Sequence, residues 1–171
     1  MLKHVHRSKS YVSRIGKSIA RFFCSRNVIP EILELGSKDG YNTNIIYNEL
    51  KDVFGDVKLT ATDELMYLPK YYAVRTELPN PLIYDEYKYG YNTILLNPTI
   101  FNMISQIDAI DCFEDVKRND CKYVMILHDA TYTFNYINMN LTNEMWEMAQ
   151  YETFSSYPIV SLTVFESLKK K

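Results

Sequence analysis

EILELGSKDG, residues 31–40, holds the clearest signature of architecture in this chain. Ile32, Leu33 and Leu35 run into Gly36, three polar residues follow, and Gly40 closes the turn. The chain has five glycines and places two of them here, directly behind a strand-like run. Glycine has no Cβ, so its backbone can come close to a ligand or take a positive φ at little cost. Over residues 41–54 the apolar Ile45, Ile46, Leu50, Val53 and Phe54 then follow helical spacing, and Gly55 stops the helix. VKLTATDEL alternates into a second strand that ends at Asp63. Strand, glycine turn, helix and strand within about thirty residues make a right-handed crossover between parallel strands.

Outward from this unit the chain keeps alternating. Upstream, residues 11–23 set Val12, Ile15, Ile19 and Phe22 on one helical face, with Arg14, Lys17 and Arg21 on the other. Downstream, residues 65–92 carry Pro69, Pro79, Pro81 and seven tyrosines, which permit only a short strand near 72–75, away from the sheet centre. A strand over 93–96 meets Asn97-Pro98, a helix is expected over 100–116, and the near-continuous apolar run 123–127 suits a strand buried on both faces. The pattern then predicts a helix over 143–151 and a terminal hairpin from 152–156 back through 160–167. The expectation is a three-layer α/β fold with a mostly parallel sheet and a C-terminal antiparallel hairpin. In such sheets ligands lie beyond the carboxyl ends of the strands, which directs attention to Gly36–Gly40, Asp63-Glu64, Asn97–Thr99 and His128–Thr131.

Composition narrows the class further. The 171 residues are 47% hydrophobic and 23% charged, the balance of a globular domain rather than a disordered chain. No run approaches the roughly 20 apolar residues of a membrane span, so a cytoplasmic location without a transmembrane segment is expected. Cys24, Cys112 and Cys121 show neither disulfide-framework nor metal-ligand spacing, and no metal site is expected. The abundance of Tyr, Ile, Asn and Lys over Arg and Gly matches AT-rich coding, as in many viral genomes. The net charge of −2 hides an asymmetry: residues 1–26 hold seven basic side chains and no acidic one, against twelve basic and all 21 acidic in 27–171. Residues 1–26 thus read as a basic arm with an amphipathic helix, and 27–171 as a single domain. Three roles are open to the basic face: a solvated outer surface, a contact for nucleic acid or another acidic partner, or a membrane-lying helix.

The glycine turn excludes two nucleotide sites. GSKDGYNT lacks the P-loop pattern, and Lys38 stands where a dinucleotide fingerprint needs glycine. ELGSKDG instead resembles the first motif of class I S-adenosylmethionine-dependent methyltransferases, acidic-x-Gly-x-Gly-x-Gly, with Glu34, Gly36 and Gly40 on matching positions. Asp63 matches the family's acidic residue at the end of the second strand, which accepts the ribose hydroxyls. LLNPT resembles the fourth motif, and KYVMILHDA the fifth strand and its loop. The resemblance covers about residues 31–168 and implies a Rossmann-like methyltransferase fold. It implies S-adenosylmethionine as cofactor, held by Glu34, Gly36, Ser37, Lys38, Gly40, Asp63 and Glu64. It also implies transfer to a nucleic acid or small-molecule acceptor oriented by Asn97 and Pro98.

The departures from that pattern carry chemistry of their own. Lys38 puts a cation near the expected sulfonium and aminocarboxylate, the middle of the sheet is short, and Thr99 replaces the fourth motif's second proline. Methyl transfer from a sulfonium is an in-line displacement that needs alignment more than acid–base power, so positioning groups suffice. His128, followed by Asp129, is a candidate base because imidazole titrates near neutrality. The Lys-Asp-Lys-Glu tetrad of ribose methyltransferases would fall on Lys17, Asn97, His128 and Glu166, with two mismatches. The same departures support an alternative: a catalytically degenerate methyltransferase-like module that binds protein or nucleic acid.

Overall fold

A computed structural model describes residues 9–35, 40–62, 75–76, 91–96, 121–128, 146–154 and 160–168. Helix α1 (Lys9–Arg26) leads into β1 (Glu31–Leu35), α2 (Tyr41–Phe54) and β2 (Lys58–Thr62). Strands β3 (Arg75–Thr76), β4 (Thr93–Leu96), β5 (Tyr123–His128), β6 (Trp146–Phe154) and β7 (Val160–Ser167) complete one seven-stranded sheet, ordered β3-β2-β1-β4-β5-β7-β6. The strands β3, β2, β1, β4 and β5 pair in parallel; β7 pairs antiparallel with both β5 and β6. Among the described residues, the proline-rich middle of the chain contributes β3, at the sheet edge, where few ladder bonds are required of it. The helix expected over 100–116 lies outside the described residues.

The register is fixed at the amino edge by Asn92. Its side-chain Nδ2 donates to the Ile29 carbonyl, its Oδ1 accepts from the Glu31 backbone N–H, and its backbone carbonyl accepts from both Lys122 and Tyr123 N–H. One residue thereby aligns the starts of β1, β4 and β5. At the other end of α2, Gly55 adopts φ 77° and its N–H donates to the Lys51 carbonyl, the stop that the glycine was expected to provide.

Both sheet faces are buried. On one, Ile32, Leu59, Leu95, Tyr123, Met125, Leu127, Leu162 and Val164 join the apolar faces of α1 and α2. Rings dominate its centre: Phe22 and Phe23 meet Tyr123 edge-on at 5.2 and 6.0 Å, the geometry that ring quadrupoles favour. On the other, Leu33, Ile94, Leu96, Val124, Ile126 and Phe165 are all at most 1% exposed. Burial on both sides explains why β4 and β5 read as unbroken apolar runs. The two helices cross at Gly16, where a Cβ would lie 3.0 Å from Glu49 Cβ and 3.2 Å from Ile46 Cα.

One expected element is overturned. Residues 146–151, read as part of a helix, form the first two-thirds of β6. The segment mixes the helix formers Glu147, Met148, Ala149 and Gln150, and its ladder shifts by one residue between Met148 and Gln150. Trp146, Met148, Tyr151 and Thr153 consequently share one face at spacings of two, three and two. A bulge inside a strand thus imitates helical periodicity, and pairing with β7 overrides local propensity.

Candidate functional site

The order of the sheet reverses between β1 and β4: β2 and β3 lie to one side, β4 and β5 to the other. In a parallel α/β sheet that reversal opens a crevice at the carboxyl edge. The strand ends are level there. Leu35 is the partner of both Thr62 and Leu96, and Leu96 of Ile126. Gly36, Asp63 and Asn97 are therefore the first residues after three neighbouring strands that stop on one line. Gly36, Ser37, Lys38, Asp63, Glu64, Asn97 and Pro98 themselves lie outside the described residues.

Glu34 and Gly40, on either side of the turn, are described. Glu34 is fully buried, and its carboxylate accepts a 2.6 Å hydrogen bond from the Thr43 hydroxyl in the first turn of α2. The bond ties β1 directly to the start of the next helix and so holds the ends of the intervening turn together. Gly40 is the N-cap of α2 in the left-handed conformation, φ 84° and ψ 5°, and its carbonyl accepts from Asn44 N–H at 2.9 Å. It contributes no side-chain cap, so the entry to the helix carries no Cβ. The sequence marks Thr43 only by a hydroxyl at the third helical position, nine residues after a strand carboxylate.

His128 is the last residue of β5, two places beyond the line of strand ends and opposite Ser161. It is 3% exposed, its Nε2 lies 2.8 Å from Thr163 Oγ1, and its ring is 6.2 Å from that of Tyr151. Around it the hairpin gathers hydroxyls: Thr153 Oγ1 and Ser161 Oγ are 3.0 Å apart, and both are within 3.4 Å of the Tyr151 phenol. These bonds to Ser161 and Thr153 hold the Tyr151 phenol below its ordinary pKa. Tyr151 joins this group because the bulge between Met148 and Gln150 sets it opposite Thr163, a placement that a helix over 143–151 does not foresee. An imidazole held by a threonine at the carboxyl edge suits a positioning or proton-accepting role.

The tetrad arrangement does not form. Glu166 pairs across the sheet with Tyr123, at the opposite end of β5 from His128, and binds Arg26 at 3.1 Å. Lys17 lies on the exposed face of α1. Cys121 is equally remote from the edge: burial pushes its thiol up to about 12, so it stays protonated and inert. Among the described residues no helix is long and apolar enough to cross a membrane.

No protein-family model matches the sequence, and no curated protein matches it. Solved structures do. The methyltransferase domain of bacterial CtHen1 is similar with a TM-score of 0.64 and 12% identity, over 90% of this chain and 98% of that one. Magnesium protoporphyrin IX methyltransferase from Synechocystis PCC 6803, solved with bound SAM, gives 0.65 and 8%, over 92% and 80%. The N-methyltransferase NodS from Bradyrhizobium japonicum WM9, in complex with S-adenosyl-L-homocysteine, gives 0.63 and 10%, over 92% and 88%. The fold is therefore that of the class I methyltransferases: Rossmann-like, with a mixed sheet ending in antiparallel strands.

Proposed function

We propose that this chain is an S-adenosylmethionine-dependent methyltransferase with its site at the carboxyl edge, across the reversal between β1 and β4. The observation that carries this reading is the level line of strand ends behind which Gly36, Asp63 and Asn97 follow in sequence, beside a helix entered through a left-handed glycine. When bound, the cofactor supplies an electrophilic methyl group on a sulfonium. Gly36, Ser37, Lys38 and Gly40 hold its aminocarboxyl end, where backbone N–H groups and the Lys38 ammonium suit a carboxylate. Asp63, with Glu64, accepts hydrogen bonds from the ribose diol. Glu34 acts through the turn: its bond to Thr43 sets the angle between β1 and α2. Asn97 and Pro98 orient the acceptor, and His128, oriented by Thr163, takes a proton from it.

Isothermal titration calorimetry with S-adenosylhomocysteine tests the reading. The expected result is saturable binding, weakened at least tenfold by Asp63→Ala with the circular dichroism spectrum unchanged. Absence of heat at millimolar ligand removes the enzymatic reading and leaves the degenerate binding module.

A further inference from the structure

The first 26 residues carry seven cations and no anion, and α1 arranges those on it unequally. Its apolar side is committed to the core: Tyr11, Val12, Ile15, Ile19, Phe22 and Phe23 are each at most 3% exposed. A helix that has already buried its apolar face in its own domain has none left to insert into a bilayer, which eliminates the membrane-lying role. What remains outside is polar. Ser10, Arg14, Lys17 and Arg21 are exposed and fall within about 60° of the helix circumference, over a rise of about 16 Å.

The carboxylates packed against α1 meet side chains of the helix that lie off the stripe. Glu49 accepts from Ser13, Glu152 from Ser18, and Glu166 is bound by Arg26. Arg21 approaches Glu152 only at 3.8 Å, with its side chain 67% exposed. Arg14 lies over the Tyr11 ring, and neither it nor Lys17 has a carboxylate at ion-pair distance among the described residues. Direction adds a second observation. The Tyr11 hydroxyl donates to the Phe154 carbonyl and accepts from the Val160 amide, at the end of the hairpin level with His128. The helix therefore starts at the carboxyl edge, beside the β6–β7 hairpin, and runs away from it, so the basic stripe leads from that edge of the sheet.

We infer that the outer face of α1 is a track for the phosphate backbone of a nucleic-acid strand, and that the methyl acceptor at the carboxyl edge is part of such a strand. The second half of this statement rests on the methyltransferase reading. The charge distribution selects the partner: the stripe is narrow, and residues 27–171 carry a net charge of −9. A broad anionic surface, whether a bilayer or an acidic protein, would bring the acidic body within the ~8 Å screening length and be repelled. A single strand is thin enough to touch the stripe alone.

Fluorescence anisotropy of the full chain with fluorescein-labelled mixed-sequence RNA and DNA single strands of about 20 nucleotides tests this, over 50–200 mM NaCl. The wild type is expected to bind at least one of them. The variant Arg14→Gln/Lys17→Gln/Arg21→Gln is expected to bind at least tenfold more weakly, and to flatten the log–log salt slope by about 2. Lys51→Gln, on the exposed side of α2, is the control and leaves binding unchanged. Thermal melts identify any loss of folding, in which case the charge-preserving Arg14→Lys/Arg21→Lys variant, expected to retain binding, is compared instead. Equal affinity of the wild type and the glutamine variant, no binding at 50 mM salt, or stripe-dependent binding to phosphatidylserine vesicles or polyglutamate in place of nucleic acid overturns the inference. S-adenosylhomocysteine calorimetry on the same samples separates the two readings. Cofactor heat without strand binding defeats the track alone; strand binding without cofactor heat keeps the track and defeats the acceptor assignment with the enzyme.

Discussion

The carboxylate of Glu34, fully buried, receives the Thr43 hydroxyl at 2.6 Å. Removing a donor from a buried polar group costs about 1–3 kcal/mol, because the lost water is not returned. Thr43→Val keeps the shape of the side chain and deletes only the hydroxyl. It is expected to destabilise the domain by about 2 kcal/mol in urea unfolding, and to weaken S-adenosylhomocysteine by loosening the turn between β1 and α2. Unchanged ligand affinity in a destabilised protein would confine Glu34 to a folding role. The strand that carries Glu34 and the helix entry at Gly40 were legible from their spacing, since periodicity and a flanking glycine are local signatures. Thr43 was not, because its meaning depends on facing Glu34 in space.

At the scale of elements, α1 and α2 approach through Gly16, whose missing Cβ leaves room for Glu49 and the Ile46 backbone. Gly16→Leu forces the helices apart. Overpacking of this kind costs about 3 kcal/mol at its upper range, well above the roughly 1 kcal/mol that glycine replacement returns in helix propensity. A fall in melting temperature is expected, and a rise would show that the helices slide freely. Most elements were readable: α2 spans Tyr41–Phe54, β1 Glu31–Leu35 and β4 Thr93–Leu96, as their periodicity and flanking glycines or prolines indicate. The start of β6 was not. Its bulge broke the two-residue alternation, and only the register with β7 restores the meaning of Trp146, Met148, Tyr151 and Thr153 as one face.

For the whole molecule, the N-terminal segment is both core and surface. Six large side chains of α1 lie against the sheet, each contributing about 2 kcal/mol by burial. Their sum, on the order of 10 kcal/mol, is comparable with the total stability of a domain of this size. Residues 27–171 expressed alone are accordingly expected to lack a cooperative thermal transition. A sharp transition from that fragment, with native circular dichroism, would show that the sheet and α2 suffice. The charge asymmetry then acquires its geometry: cations sit on the outer face of a helix whose inner face the fold cannot spare.

Sequence alone was enough for the alternation of strands and helices, the parallel start of the sheet, and the glycine at the entry to α2. These are local matters of periodicity, backbone freedom and proline placement. Tertiary structure alone decided that the sheet order reverses between β1 and β4, that Thr62, Leu35, Leu96 and Ile126 stand level, and that His128 and Glu166 belong to opposite edges. It also decided that the basic helix begins at the carboxyl edge and turns its charges to solvent. Those facts depend on which strands pair and in what register, and pairing between distant segments is set by burial across the whole domain, which no short window of sequence contains.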